Sequence, residues 1–140
     1  RTSRPLRHIL RECNDVQKLL QMHAIHGEKF NSSEIKACWN QLGVLLGGQE
    51  RTRLVRHDLL GPLREQTRKK ALDLNTKAIT RVVRVMARLN LTEGKRWAAI
   101  WRKMQNAVER RVNEFTAQQL GELAWAFAMA GKATPQLFGA

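Results

Sequence analysis

Lys77, Arg81, Arg84 and Arg88 fall at offsets 0, 4, 7 and 11. On a helix those offsets share one face. Four cations spread along roughly 16 Å of helix could follow a chain of phosphates, and arginine adds bidentate phosphate binding and stacking on bases. Positions 77–91 contain no Asp or Glu to neutralise the stripe. Its chemistry is capture of a polyanion, since it contains no nucleophile, general base or metal ligand. The plainer alternative is a solvated face that keeps the chain soluble. The whole chain weighs against that, with a net charge of +13 and a pI of about 11.1. Such a balance points to a polyanionic partner, most commonly nucleic acid. A second set of cations, Arg64, Arg68, Lys69 and Lys70 with Arg102, Lys103, Arg110 and Arg111, lies in other charged segments. These are expected to face outward and to reach RNA on another side, as in a large ribonucleoprotein.

Other chemistries find little support. There is no Gly-rich phosphate loop and no Ser/His/Asp constellation. The 12 acidic residues are dispersed, which argues against a metal-dependent nuclease. No catalytic residue, metal ligand, cofactor or small-molecule substrate is therefore assigned. His23 and His26 flank a helix end and His57 sits among charges, so surface or capping roles are expected. Cys13 and Cys38 lie in different predicted helices, and free buried thiols in a reducing compartment are the expectation. No apolar run approaches the ~18 residues of a membrane span. The cations are spread over several segments rather than crowded on one amphipathic helix, which disfavours a membrane surface.

The elements that must position the stripe are helices, and they repeat. Ile35, Cys38, Trp39, Leu42 and Leu45 sit at offsets 0, 3, 4, 7 and 10. Ile79, Val82, Val83, Met86 and Leu89 repeat those offsets, as do Leu120, Leu123, Ala124, Phe127 and Ala130. This is one face of a 3.6-residue period. Aligning the three brings Asn31, Asn75 and Thr116 into register as N-caps, with Phe30, Leu74 and Phe115 before them as staple residues. Glu34 and Gln119 complete capping boxes. The periods are 44 and 41 residues. The second helix of each unit is longer and more variable. The first spans 50–72 and must split or kink at Gly61-Pro62. The next spans 93–112, capped by Thr92, with Trp97, Ile100, Trp101, Met104 and Val108 inward. Trp39, Trp97, Trp101 and Phe127 all read as core.

The fold class is therefore all-α: an α-solenoid of helix-turn-helix repeats, about two and a half of them after a short N-terminal helix pair. The lead-in and pair occupy 1–29 and the array 30–140, in units 30–73, 74–114 and 115–140, the last incomplete. The chain begins with Arg rather than Met, so a natural N-terminus is expected upstream, and RTSRPLR would suit the end of an organellar transit peptide. At the other end Thr134-Pro135 opens a further helix. Leu120, Trp125, Phe127 and Leu137 would lack part of their cover unless more chain or another molecule supplies it. Trp125, Leu137 and Phe138 are thus the candidate protein interface.

The segment 115–138 resembles an octotricopeptide repeat. Leu120, Leu123, Trp125, Ala126, Phe127, Ala128 and Gly131 match the leading helix of that family, and Pro135, Leu137 and Phe138 the start of its second helix. The stretch HILRECNDVQKLLQMHAIHGEKFNSSEI is similar to the segment that often precedes such arrays. In the second unit Arg84 stands where the third has Trp125. The resemblance implies a nucleus-encoded protein imported into a mitochondrion, or alternatively a chloroplast, that acts on organellar RNA. The chain is short and basic on several sides, which favours a non-catalytic component of an organellar ribosome that binds and stabilises rRNA beside neighbouring ribosomal proteins. An RNA maturation, stability or translation factor is the first alternative, and a protein-interaction scaffold the second.

Overall fold

The computed structural model describes residues 5–46 and 48–132, and every regular element among them is helical. In order these are α1 (Leu6–Glu12), α2 (Val16–His26), α3 (Ser32–Leu45), α4 (Gly48–Arg56), α5 (Gly61–Lys69), α6 (Thr76–Arg88), α7 (Lys95–Arg110) and α8 (Ala117–Met129). The expectations at 1–4, Gly47, Thr134-Pro135, Leu137 and Phe138 lie outside the described residues.

One junction is built three times. A 3-10 turn at Gly27–Lys29, Ala71–Asp73 or Val112–Glu114 leads into an extended, buried apolar residue, Phe30, Leu74 or Phe115. An extended N-cap follows, Asn31, Asn75 or Thr116, and opens α3, α6 or α8. Asn31 Oδ1 accepts from Ser33 N at 2.9 Å, and Asn31 N donates to Glu34 Oε1 at 2.7 Å. Thr116 and Gln119 exchange the reciprocal pair at 3.0 and 2.9 Å. Asn75 Oδ1 accepts from Ala78 N at 2.8 Å. Ala78 has no side chain to return the bond, so the Asn75 N–H donates to Ser32 Oγ at 3.1 Å. The neighbouring helix thus completes the cap of α6 and holds the two N-termini level.

From these junctions α1, α3, α6 and α8 run as one row, each packed on the next. Behind the row, α2 packs on α3, α7 on α6 and α5 on α7. Gln41 Nε2 donates to Cys13 O at 2.7 Å, tying the end of α1 to α3. The expected apolar faces are inward: Ile35, Cys38, Trp39 and Leu42, then Ile79, Val82, Val83, Met86 and Leu89, then Leu123 and Phe127, are all buried. Leu45, Leu120 and Ala130 are partly buried against the same core. Phe127, expected to lack cover, is fully enclosed, with Trp101 edge-on at 5.4 Å. Two buried indole N–H groups donate within the protein, Trp39 to Thr67 Oγ1 and Trp101 to Leu91 O, both at 2.9 Å.

Three local expectations are corrected. His23 is buried rather than superficial, edge-on to Phe30 at 5.3 Å and bonded through Nε2 to Gln66 Oε1 at 2.9 Å. Its apolar ring body fills the seam between α2 and α5, and Gln66 satisfies its polar edge. The helix capped by Thr92 begins later, at Lys95, because Gly94 takes φ 95° and serves as N-cap without a side-chain bond. Arg64, expected on the outer surface, is only 2% exposed.

The burial of Arg64 follows from the break before it. Helix α4 ends at Arg56; in the turn after it Asp58 adopts φ 50°, and the backbone of Gly61 then passes under the Asp58 carboxylate. A Cβ at Gly61 would meet Asp58 Oδ2 at 2.9 Å, so any other residue would push the carboxylate from its place. Arg64 grips that carboxylate with Nη1 at 2.6 Å and Nη2 at 3.1 Å, bonds Glu65 Oε2 through Nε at 3.3 Å, and lies 5.0 Å from the Trp97 ring centroid. Arg96 Nη1 reaches the same carboxylate at 2.7 Å. The hydrogen bonds from Arg64 are the main reason the Asp58 carboxyl titrates below its ordinary range.

Two outcomes follow. Asn75→Ala removes a cap and should cost about 1 kcal/mol, lowering the thermal midpoint by about 3 °C, with Asn75→Gly costing less. Asp58→Asn keeps the left-handed backbone but leaves a buried guanidinium with a weaker partner. It should cost about 2 kcal/mol at pH 7 in urea unfolding, below the range for fully enclosed pairs because Asp58 is 35% exposed. A depressed folded pKa contributes stability that is present above the ordinary carboxyl range and lost as pH falls through it. The gap between wild type and Asp58→Asn should therefore narrow in melts as pH falls below about 4 and close once pH is below the depressed value of Asp58.

Candidate nucleic-acid interface

The stripe on α6 is set by the inward face of the same helix. With Ile79, Val82, Val83 and Met86 buried, Lys77 and Arg88 are exposed and Arg81 and Arg84 are half-buried between the flanking helices. Lys77, Arg81 and Arg84 line a groove of about 390 Å³ with Lys36 of α3 and with Thr116, Gln118, Gln119 and Glu122 at the start of α8. The Lys36 ammonium titrates below the ordinary lysine value, first because it is partly buried and then because Arg81, Lys77 and Arg11 repel its charge. Cations from α1, α3 and α6 thus converge on one face. Glu122 is the only acid lining the groove, and Arg84 Nη1 pairs with its Oε1 at 2.9 Å.

Lys36 and Arg11 were not among the residues expected from sequence. A stripe on one helix is visible as periodicity. Convergence of single cations from neighbouring helices becomes visible only when their relative register is known. The repeat alignment contains that register. It places Lys36 opposite Thr80, one position before Arg81, and Thr80 lines the same groove.

The same alignment maps the stripe of α6 onto Gln118, Glu122, Trp125 and Met129 in α8, and onto Ser33, Ala37, Asn40 and Val44 in α3. The row therefore changes character along its length, from basic at α6 to acidic and apolar at α8. Trp125 is 47% exposed and Met129 57% exposed. With Arg84, Arg88, Gln118, Gly121 and Glu122 they line a second trough of about 680 Å³ that continues the first.

The remaining expected cations divide in two. Lys70 Nζ donates to Phe30 O at 2.7 Å. Arg111 donates through Nη1 to Leu74 O and, at 3.3 Å, to Leu72 O, while its other nitrogens bond the Glu114 carboxylate. Each closes its own unit by satisfying the carbonyl of the staple residue, so with Arg64 they serve the fold. Arg68, paired with Glu65 at 2.9 Å, joins Arg102 and Lys103 around a hollow between α5 and α7, with Glu109 on its rim. Lys69 and Arg110 are exposed. These five charges lie on α5 and α7 and do not line the groove beside α6.

No protein-family model, curated protein or solved structure matches this chain. Among the described residues no group of three or more His, Cys, Asp or Glu could hold a metal ion. No described helix is long and apolar enough to cross a membrane. Both thiols are free, and burial pushes the Cys38 thiol up to about 12, which leaves it protonated and unreactive at neutral pH.

Binding of a generic polyanion should report the groove's charge balance. On a heparin column Lys36→Ala should elute at lower salt than wild type. Glu122→Gln should elute at higher salt, because it removes the one carboxylate of the groove and releases Arg84.

Proposed function

We propose that this chain is a non-catalytic RNA-binding helical-repeat protein, an α-solenoid of the octotricopeptide kind, and that within this class it is a component of an organellar, mitochondrial ribosome that holds rRNA. The observation that carries the reading is the convergence of Arg11, Lys36, Lys77 and Arg81 on one face of the helix row, continued by Arg84 and Arg88. Like charges gathered this closely repel one another, and that repulsion adds to partial burial in holding the Lys36 ammonium below its ordinary value. A run of phosphates relieves it and releases condensed counterions. The thrice-built junction and the side-by-side row support the solenoid. Outer charges at Arg68, Arg102 and Lys103 on the second layer support embedding in a ribonucleoprotein, where RNA meets a protein on more than one side.

The test is binding to structured rRNA fragments, single-stranded RNA and DNA across a salt series. Arg81→Ala/Arg84→Ala/Arg88→Ala should weaken RNA binding and make the log–log salt slope shallower by about 2, given roughly 0.7 per phosphate contact on a single strand. Far-UV circular dichroism should be unchanged, since none of the three is a core residue. RNA affinity and slope that survive the triple substitution would remove the groove from the reading. Incorporation of the chain into intact organellar ribosomal subunits tests the narrower assignment separately.

A further inference from the structure

We infer that Trp125 and Met129 form a shelf on which one unstacked nucleobase of a single-stranded RNA lies, while the neighbouring phosphates run along the groove of Lys36, Lys77 and Arg81. The inference rests on the RNA-binding reading and adds the form of RNA and the division of labour between two helices.

The four tryptophans are not alike. Trp39 and Trp101 are buried and hydrogen-bonded, and Trp97 is buried under Arg64. Trp125 is half exposed, and among the described residues it makes no hydrogen bond, ion pair or ring contact. It lies in the trough it shares with Arg84 and Arg88, so its free surface opens toward the cations. Indole faces and guanidinium planes are the groups on which bases stack, and the trough's roughly 680 Å³ leaves room for a nucleoside.

Charge decides which part of the strand goes where. Helix α8 has no Lys or Arg between Ala117 and Met129, and it places Glu122 at the position where α6 has Arg81. A phosphate on that side would meet the carboxylate, whereas a base can offer its amino or imino hydrogens to it. Phosphates therefore belong to the α6 side and a base to the α8 side. A duplex keeps its bases stacked inside and cannot use the shelf.

The experiment compares a 12-nucleotide single-stranded RNA, the same strand with abasic sites, and a blunt duplex of equal length, each titrated across a salt series. Trp125→Ala should weaken the intact strand by about 5- to 150-fold with the salt slope unchanged. Trp125→Phe should recover most of the loss. The abasic strand and the duplex should bind wild type and Trp125→Ala alike. The inference is overturned if Trp125→Ala leaves the intact strand unaffected, or if it weakens all three ligands equally. In either case a steep salt slope that falls in Arg81→Ala leaves the RNA reading standing. Absence of salt-dependent binding to every RNA overturns both.

Discussion

The whole arrangement depends on one constraint: three of the four helices of the row, α3, α6 and α8, start from the same backbone entry. A 3-10 turn, an extended buried apolar residue and an extended capping residue fix the direction of the chain before the first helical hydrogen bond is made. Three such entries, at Asn31, Asn75 and Thr116, set three helices level with one another. Once they are level, residues at equal depth in different helices become neighbours. A basic surface can then be assembled from helices that individually contain few cations. Lys36 is the only Lys or Arg in α3, yet it meets Lys77, Arg81 and Arg11.

A high net charge does not translate directly into a binding surface. Some of it is consumed by the fold. Arg64 joins the turn after α4 to Trp97 of α7, and an apolar side chain in its place would leave Asp58 with Arg96 alone and Glu65 with Arg68 alone. Lys70 and Arg111 satisfy carbonyls at the ends of their own units. The long stems of these residues lie along apolar surface while their heads reach polar atoms, the usual behaviour of such side chains. Once they are set aside, the cations of the first row stand out more clearly as a surface open to a ligand.

Helix positions, caps, inward faces and the Gly61-Pro62 break were legible in the sequence because each depends on residues within about four positions of one another. The stripe on α6 was legible for the same reason. The burial of Arg64 was not, since it follows from a left-handed Asp58 and a glycine that lets a carboxylate cross the backbone, and neither leaves a periodic trace. His23 was misread because its partner Gln66 lies 43 positions away. Lys36 and Arg11 were missed because their company comes from other helices. Thr92 was preferred as a cap by residue type, but the chain turns at Gly94, whose φ of 95° is open to glycine and rarely to other residues.

The hydroxyl of Ser32 has a consequence for how the row comes apart. It accepts the N–H of Asn75, so the return bond of the α6 cap is made only while α3 is beside it. Separating the two helices would hand that donor over to water as well as expose apolar side chains. Stacked helical units often lose structure from one end, unit by unit, when the seams between them are purely apolar. Here the seam and the helix start are one feature, so the middle of the row should open as a single cooperative block, with amide exchange at 76–79 following that of α3 rather than fraying ahead of it.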